Sequence, residues 1–325
     1  MKHERFIAWC LATPWALMPE RIAAYASVLA RKFSGPINEA AAAWDKDEPA
    51  AGPRAARGGA PRSGAIAVIP VYGTIVQRAS QIDICEGGTS TQQISSMLRD
   101  ALADDTVAQI LLDIDSPGGS VYGVQELADE ISQSKKPVVA VANSLAASAA
   151  YWIGCSASEF YVTPGGEVGS IGVWQAHQDW SKALEEAGVN TTLISAGQFK
   201  VEGNPYQPLS QEARDFMQSR VNDYYTAFTK AVSKGRKVGI DAVRNGMGQG
   251  RVLGADAALN EKMIDGVMTF DQVVKKMSKS IRSGAGAELT GADIQAGVPQ
   301  PAASSLDEAA IRAAARRRAI ELAST

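Results

Sequence analysis

Histidine is scarce in this sequence, because His3 and His177 are its only two histidines among 325 residues. His3 lies in an N-terminal tail, so a Ser–His–Asp triad would have to be built on His177. Asp179 is two residues away, a spacing that does not aim its carboxylate well at the imidazole. We therefore expect His177 to line a cleft or to stabilise the fold rather than to act as a base.

Cysteine is also rare, and neither sign of charge dominates. The three cysteines, Cys10, Cys85 and Cys155, lie far apart, so the paired spacing of a zinc site is missing. We predict no metal and no other cofactor. A disulfide framework is not expected, which fits a cytoplasmic location. The net charge of -3 gives no electrostatic reason to expect a nucleic-acid partner.

The sequence has no apolar run of the roughly 20 residues that a membrane-spanning helix needs. The apolar run at residues 6–18 imitates a signal peptide, and residues 24–26 resemble a cleavage site. However, Pro14 interrupts the run, and Pro19, Glu20 and Arg21 separate it from residues 24–26. We therefore expect neither secretion nor a transmembrane anchor.

Composition divides the chain into five segments. Residues 1–34 have apolar residues at helical intervals and are predicted to form an N-terminal helical segment. Residues 35–64, rich in Ala, Gly, Pro and Arg, are predicted to be a flexible linker. The main domain is predicted at residues 65–280. A second flexible linker follows at 281–304, and a C-terminal helical tail at 305–325.

Short apolar strands alternate with amphipathic helices in the main domain. Strands are predicted at residues 65–71, 110–114, 138–142, 159–162 and 191–194, and helices at 89–104, 121–134, 146–155 and 210–238. This alternation is typical of right-handed βαβ units. We expect an α/β domain with a mainly parallel, buried sheet that is flanked by helices.

Two segments that follow apolar strands contain residues suited to acyl transfer. In the Asp-Ser-Pro-Gly-Gly turn of residues 115–119, the backbone N–H of Gly118 or Gly119 could stabilise a developing oxyanion. Ser148 is predicted near the start of a helix of small residues, where the helix N-terminus favours negative charge. The N–H of Ala149 comes directly after it. A tight turn and close helix–sheet packing are the simpler interpretations of each segment alone.

Two further segments could complete such a site. Lys200 follows a predicted strand and a glycine, and could turn toward the edge of the sheet. A lysine that acts as a base at neutral pH needs its pKa lowered from about 10.4 to near 7, which desolvation can supply. Ser170, in the glycine-rich residues 165–173, could orient the amine. Taken alone, a lysine is more often a solvated surface residue.

In this order, the four segments resemble the SppA-like serine peptidases of the ClpP/crotonase superfamily, over roughly residues 65–267. The resemblance implies a spiral of ββα units. It also implies a role for each candidate residue: Ser148 as nucleophile, Lys200 as general base, Gly118 or Gly119 with Ala149 as oxyanion donors, and Ser170 as an auxiliary residue. One departure is Lys262, which stands where the family usually has glycine.

Residues 13–20, 173–177 and 200–206 are similar to the phage branch of this family, the lambda-type capsid maturation (prohead) proteases. That resemblance implies a serine endopeptidase that cleaves phage head proteins such as scaffold or portal, or cleaves itself. It also implies a homo-oligomer in the host cytoplasm.

Three alternatives remain open. A bacterial SppA-type peptidase would degrade signal peptides or other proteins. A crotonase-type acyl-CoA enzyme would not need both Ser148 and Lys200, and no CoA pocket is identifiable in the sequence. A non-proteolytic capsid assembly or scaffold protein would suit the basic helix predicted near residues 312–318.

Overall fold

The computed structural model describes residues 14–18, 64–78 and 88–287, with side chains as far as residue 283. The sheet and the candidate site lie in one compact unit that ends at Gly284. Most of the two predicted linkers, and the whole C-terminal tail, lie outside the described residues.

The strands and helices alternate along the chain as predicted. The strands are β1 (Trp15–Leu17), β2 (Ala65–Tyr72), β3 (Ile75–Val76), β4 (Thr89–Ser90), β5 (Val107–Ser116), β6 (Gly118–Ser120), β7 (Val138–Ala147), β8 (Glu159–Val162), β9 (Glu167–Gly169), β10 (Val252–Gly254) and β11 (Gly266–Val267). The helices are α1 (Thr91–Ala103), α2 (Val124–Ser132), α3 (Ala149–Gly154), α4 (Ser181–Glu186), α5 (Gln211–Arg236), α6 (Ile240–Asn245), α7 (Ala255–Asn260) and α8 (Phe270–Ala287).

The main sheet has seven strands and is mostly parallel, which confirms the predicted fold class. Its central path runs β10-β9-β7-β5-β2, and β8 and β11 extend it beside the first half of β7. β7 therefore pairs with β8 through residues 139–142 and with β9 through residues 145–147. Only β10 runs antiparallel to its neighbour. Because β7 changes partner along its length, the sheet splits at the end of this strand.

Alternate side chains of the central strands form cores on both faces of the sheet, as the two-residue period of a strand requires. Ile110, Leu112 and Ala140 belong to the larger core, which helices α1, α2, α3 and α5 cover. Leu111 and Val141 belong to a second core that includes residues of α8. Burial on both faces explains why these strands are continuously apolar rather than alternating.

A second, smaller sheet has the order β1-β6-β3-β4. It shows that the predicted N-terminal helix is wrong at residues 15–17, which form a strand antiparallel to β6. Pro14 and Pro19 flank this strand, and proline disfavours helical geometry in the residue before it. The remainder of the predicted helical segment lies outside the described residues.

Three other boundaries differ from the prediction. β7 continues to Ala147, so the following helix starts at Ala149 rather than near residue 146. Gly118 and Gly119 lie in the short strand β6, not in a turn that leads into a helix. Residues 191–194 form no strand, and Ile194 is 95% exposed. An apolar sequence with no neighbouring strand has no backbone partners from which to build a ladder.

Arg236 and Asp265 form a bidentate ion pair that joins the end of α5 to the turn before β11. Both oxygens of Asp265 accept hydrogen bonds from Arg236 at 2.8 Å, and the Phe160 N–H donates to the same carboxylate at 2.7 Å. Lys262, in this turn, has a φ of 60°, so the site where the family usually has glycine does adopt the left-handed region.

We expect this ion pair to make the free energy of unfolding depend on pH in the acidic range. Burial alone would raise the pKa of the Asp265 carboxyl, but the hydrogen bonds from Arg236 and Phe160 outweigh burial and lower the pKa. The folded protein then binds fewer protons than the unfolded chain. The stabilisation is therefore present above about pH 4 and is lost as the pH falls through the lowered pKa.

The contribution is about 1 kcal/mol, since the Asp265 side chain is 38% exposed and its charge is partly screened. Urea unfolding of the wild type and Asp265→Asn at several pH values measures it. The two proteins should differ at pH 7 and converge near pH 2. The exposed Asp271→Asn is the control, and an equal difference at both pH values contradicts the assignment.

Candidate active site

Ser148 lies where β7 ends and α3 begins, and its backbone conformation is unusual. Its φ of 58° and ψ of -116° lie in a region that residues with a side chain rarely adopt. The Ser148 N–H donates to the Gly169 carbonyl oxygen at 2.7 Å, and its own carbonyl oxygen accepts from the Trp152 N–H at 2.9 Å. The residue is only 1% exposed. Strand pairing and the first turn of the helix thus hold a serine in a strained, buried position.

Gly118 lies directly against Ser148. A Cβ added at Gly118 would be 2.9 Å from the Ser148 Cβ and 2.9 Å from the Ala147 carbonyl oxygen, and its φ is +97°. Only glycine fits such a place without strain. The Gly118 N–H donates to the Ser116 hydroxyl oxygen at 3.2 Å. The structure therefore places Gly118 of β6 beside the candidate nucleophile.

Gly119 is packed even more tightly, against the backbone of β3. A Cβ added there would be 1.8 Å from the Ile75 carbonyl oxygen. The register of β1 and β6 places Gly119 opposite Ala16. Because the Gly118 N–H already has an acceptor in Ser116, the Gly119 N–H is the better candidate of the two for binding a substrate carbonyl oxygen.

Two further candidates lie beside Ser148. Ala149 is completely buried and is the first residue of α3, where backbone N–H groups have no partner within the helix. Ser170 follows Gly169, whose carbonyl oxygen binds Ser148, and the Ser170 N–H donates to the Arg251 carbonyl oxygen at 2.8 Å. Ser170 has a φ of 52° and is 9% exposed. Its backbone is thus next to Gly169, which binds Ser148, and its auxiliary role stays a prediction.

Lys200 is exposed, Ser148 is buried, and no hydrogen bond of the described residues joins the two. Lys200 lies in an exposed turn, where its N–H donates to the Gly197 carbonyl oxygen at 3.2 Å. Within the described residues its amine makes no hydrogen bond and no ion pair with any side chain. The segment before it is not the predicted strand, so no ladder holds the lysine at the edge of the sheet. The pairing of Lys200 with Ser148 stays a prediction.

His177 lies beside Asn204. Its Nε2 lies 3.0 Å from the Asn204 carbonyl oxygen. The Asp179 carboxylate accepts hydrogen bonds from Ser181, which lower its pKa. The Asp179 carboxylate is thus bound by Ser181, and the expectation that His177 is not a base stays a prediction.

Helix α3 is held by neutral groups. Burial raises the pKa of Tyr151, whose hydroxyl donates to the Met263 carbonyl oxygen at 2.9 Å. Burial also raises the pKa of Cys155 to about 12. Trp152 stacks on Phe228 with ring centroids 4.7 Å apart. The helix that follows Ser148 is therefore held by buried, uncharged side chains and by ring stacking.

No helix in residues 14–18, 64–78 or 88–287 is both long and apolar enough to cross a membrane. Across the same ranges, no group of three or more His, Cys, Asp or Glu side chains is arranged to hold a metal ion.

Sequence reasoning missed one element of the site, the strand Trp15–Leu17. The two prolines that flank it were the available signal, but the helical spacing of the apolar residues suggested otherwise. A carbonyl oxygen of this strand, that of Ala16, would lie 2.3 Å from a Cβ added at Gly118. The N-terminal segment is thus beside Ser148 although it is far away in sequence.

The chain is similar in sequence to several known proteins. Capsid assembly protease C of Escherichia phage lambda is 42% identical over 56% of this chain and 42% of its own length. Head-tail preconnector protein GP5 of Enterobacteria phage P21 is 34% identical over 71% of this chain and 47% of its own length. A putative protease of Methanocaldococcus jannaschii is 31% identical over 57% of this chain and 60% of its own length. The chain thus spans less than half the length of either phage relative.

Two family models overlap on the described domain. Residues 72–168 match the model for Clp protease, which covers β6 and Ser148. Residues 130–283 match the model for Peptidase family S49, which covers Ser148, Ser170 and Lys200. Residues 130–283 are therefore similar to Peptidase family S49 and residues 72–168 to the Clp proteases, and Ser148 lies in both matched segments.

Proposed function

We propose that this chain is a serine endopeptidase of phage head assembly, with Ser148 as nucleophile and Lys200 as general base. The observation that supports it best is the environment of Ser148. A strained, buried serine at a helix N-terminus lies against Gly118, which precedes the closely packed Gly119, in a segment that matches a peptidase family. Strain of this kind persists only where the surrounding structure requires it, and it is common at active sites.

The chemistry is acyl transfer. The neutral amine of Lys200 takes the proton of the Ser148 hydroxyl, and the Ser148 oxygen attacks the peptide carbonyl carbon. The N–H groups of Gly119 and Ala149 stabilise the resulting oxyanion. The Lys200 ammonium then protonates the leaving amine, and water hydrolyses the acyl-enzyme.

This mechanism requires a change in the surroundings of Lys200. The lysine is exposed in the single chain, and so are large apolar side chains of the same segment: Ile194 is 95% exposed and Phe199 is 52% exposed. Exposed apolar side chains of this kind mark interaction surfaces. We infer that assembly into a homo-oligomer covers residues 191–200 and carries the amine to a Ser148. Removal from water favours the neutral amine that a base needs.

Lys200→Ala should abolish proteolysis while the protein stays folded. Lys230→Ala, an exposed lysine on α5, is the matched control and should retain full activity. Cleavage is measured by mass spectrometry of a substrate polypeptide, and folding by thermal unfolding. A folded Lys200→Ala protein that cleaves at the wild-type rate contradicts the assigned base.

A mixture of Lys200→Ala with Ser148→Ala reveals which copy supplies the amine. Each variant contributes the group that the other lacks. Recovery of activity in co-assembled protein means that Lys200 acts on the Ser148 of a neighbouring copy. No recovery means that both groups belong to one chain. Size-exclusion chromatography with light scattering tests the oligomer itself, since a strictly monomeric active protein contradicts assembly.

The proposed substrates are phage head proteins, such as scaffold or portal, met in the host cytoplasm. The printed names of the two phage relatives support this, as one is a capsid assembly protease and the other a head-tail preconnector protein. Incubating the protein with head proteins of its phage and mapping new termini tests the substrate class. Cleavage of signal peptides alone would instead favour a bacterial SppA-type role.

A further inference from the structure

Strand β1 lies in a groove beside Ser148 and is bonded on both of its edges. On one edge the Trp15 N–H donates to the Trp174 carbonyl oxygen at 2.8 Å, and the Trp174 N–H donates back to Trp15 at 3.0 Å. On the other edge β1 is antiparallel to β6. A short segment is thus held as a strand between two parts of the peptidase domain, as extended peptides are when they add to a sheet edge.

The register brings the carbonyl of Ala16 to the candidate oxyanion donor. The Met18 N–H donates to the Pro117 carbonyl oxygen, and the Val121 N–H donates to the Pro14 carbonyl oxygen, each at 3.3 Å. Hydrogen-bonded pairs alternate along an antiparallel ladder, so the pair between these two is Ala16 with Gly119. The Gly119 N–H therefore donates to the Ala16 carbonyl oxygen.

The same carbonyl lies next to the nucleophile. A Cβ added at Gly118 would lie 2.3 Å from the Ala16 carbonyl oxygen and 2.9 Å from the Ser148 Cβ. Both groups therefore lie close to the same point. Ala16 is completely buried, and Trp15 and Leu17 are each 2% exposed. The small side chain of Ala16 is thus enclosed next to Ser148, and the larger side chains of Trp15 and Leu17 lie on either side of it.

We propose that residues 14–18 are this protease's own substrate strand, and that Ser148 cleaves the peptide bond between Ala16 and Leu17. The proposal rests on the function proposed above and specifies a substrate for the same site. The Ser148 oxygen bonds to the Ala16 carbonyl carbon, and its proton passes to Lys200. The bond from Ala16 to the Leu17 nitrogen breaks, and that nitrogen receives the proton. Water then releases a carboxylate at Ala16 and frees Ser148.

The arrangement also controls access to the site. While β1 is in place, another polypeptide cannot pair with β6 at Gly119, because the backbone groups it needs are occupied by Ala16. A strand in the same chain competes at a high effective concentration. Proteolysis of other proteins therefore begins only after the base reaches Ser148 and the bond is cut.

The test is the intact mass and N-terminal sequence of purified full-length protein after incubation at a concentration that permits assembly. Wild-type protein should lose residues 1–16 and acquire Leu17 as its new N-terminus. Ser148→Ala should stay intact. Ala16→Ser keeps the small size and should be cut, whereas Ala16→Phe does not fit the enclosed position and should not be cut at this bond.

A second measurement separates this proposal from the general one. The Ala16→Phe variant should cleave an added unstructured polypeptide at least as fast as the wild type does, because β1 of the variant no longer fills the groove. If wild type cleaves that polypeptide but never its own bond between Ala16 and Leu17, the self-cleavage proposal is wrong and the peptidase proposal stands. If wild type cleaves neither its own chain nor the added polypeptide, both are wrong.

Discussion

Replacing Ser148 with alanine is expected to abolish proteolysis and leave the protein folded. The substitution removes the only atom that can form the acyl-enzyme, while the Ser148 N–H and carbonyl oxygen keep their bonds to Gly169 and Trp152. Loss of a serine nucleophile in comparable sites lowers the rate by at least about 10⁴-fold. A φ of 58° strains the backbone of alanine about as much as that of serine, so the substitution changes the backbone strain at this position little.

The matched control for this prediction is Ser158→Ala, an exposed serine shortly after α3, which should retain full activity. Cleavage rate, thermal unfolding and oligomer size are measured for all three proteins. A folded Ser148→Ala protein with more than about a hundredth of the wild-type rate would show that another group performs the chemistry. Intact head assembly with this variant would instead favour a non-proteolytic role.

The second large effect is expected from Gly119→Ala. A Cβ at Gly119 would lie 1.8 Å from the Ile75 carbonyl oxygen and 2.6 Å from the Ile75 nitrogen, so β6 or β3 must move. The contact is with backbone that is paired in a parallel ladder, and it cannot rotate away. We expect a loss of about 3 kcal/mol in the free energy of unfolding. Displacing the Gly119 N–H from the oxyanion should lower the cleavage rate by about 100-fold or more in the molecules that remain folded.

Gly165→Ala is the control for Gly119→Ala, since an added Cβ at Gly165 has nothing within 4 Å. Its free energy of unfolding should stay within about 0.5 kcal/mol of wild type, and its activity should not change. Urea unfolding and the cleavage rate per folded molecule measure the two effects separately. A stable Gly119→Ala protein with wild-type activity contradicts both the close packing and the role of this N–H.

The two substitutions test different parts of the same step. Ser148→Ala removes the group that forms the bond, with no change in packing expected. Gly119→Ala changes packing and the position of a backbone donor, with the nucleophile retained. If Ser148→Ala is inactive and Gly119→Ala is unstable yet active per folded molecule, the oxyanion donors are the Ala149 N–H and a group other than Gly119.

Local pattern was enough to predict the α/β architecture. Continuous apolar runs such as residues 138–142 identified strands buried on both faces, and the amphipathic runs identified the helices between them. Pattern also indicated Ser148, Ala149 and the two glycines as candidates, because these residues lie in short segments at the ends of successive strands. In a parallel sheet those ends meet, so neighbours in the fold can be inferred from the order of the strands.

Pattern failed where a long-range contact decides the conformation. Residues 15–17 have helical spacing of apolar residues but form a strand, because β6 and Trp174 offer backbone partners on both sides. Residues 191–194 have the composition of a strand but find no neighbour, and Ile194 stays in water. Secondary-structure propensity is worth tenths of a kcal/mol per residue, so hydrogen bonding to a distant segment can reverse it.

The sequence by itself determined the fold class and indicated a candidate nucleophile with candidate donors, since these depend on short segments and on the order of the strands. Only the tertiary structure decided what lies against them. It placed Ala16 of the N-terminal segment opposite Gly119 and left Lys200 exposed, because both outcomes depend on which distant backbone or surface is available to pair with, and no local pattern encodes that.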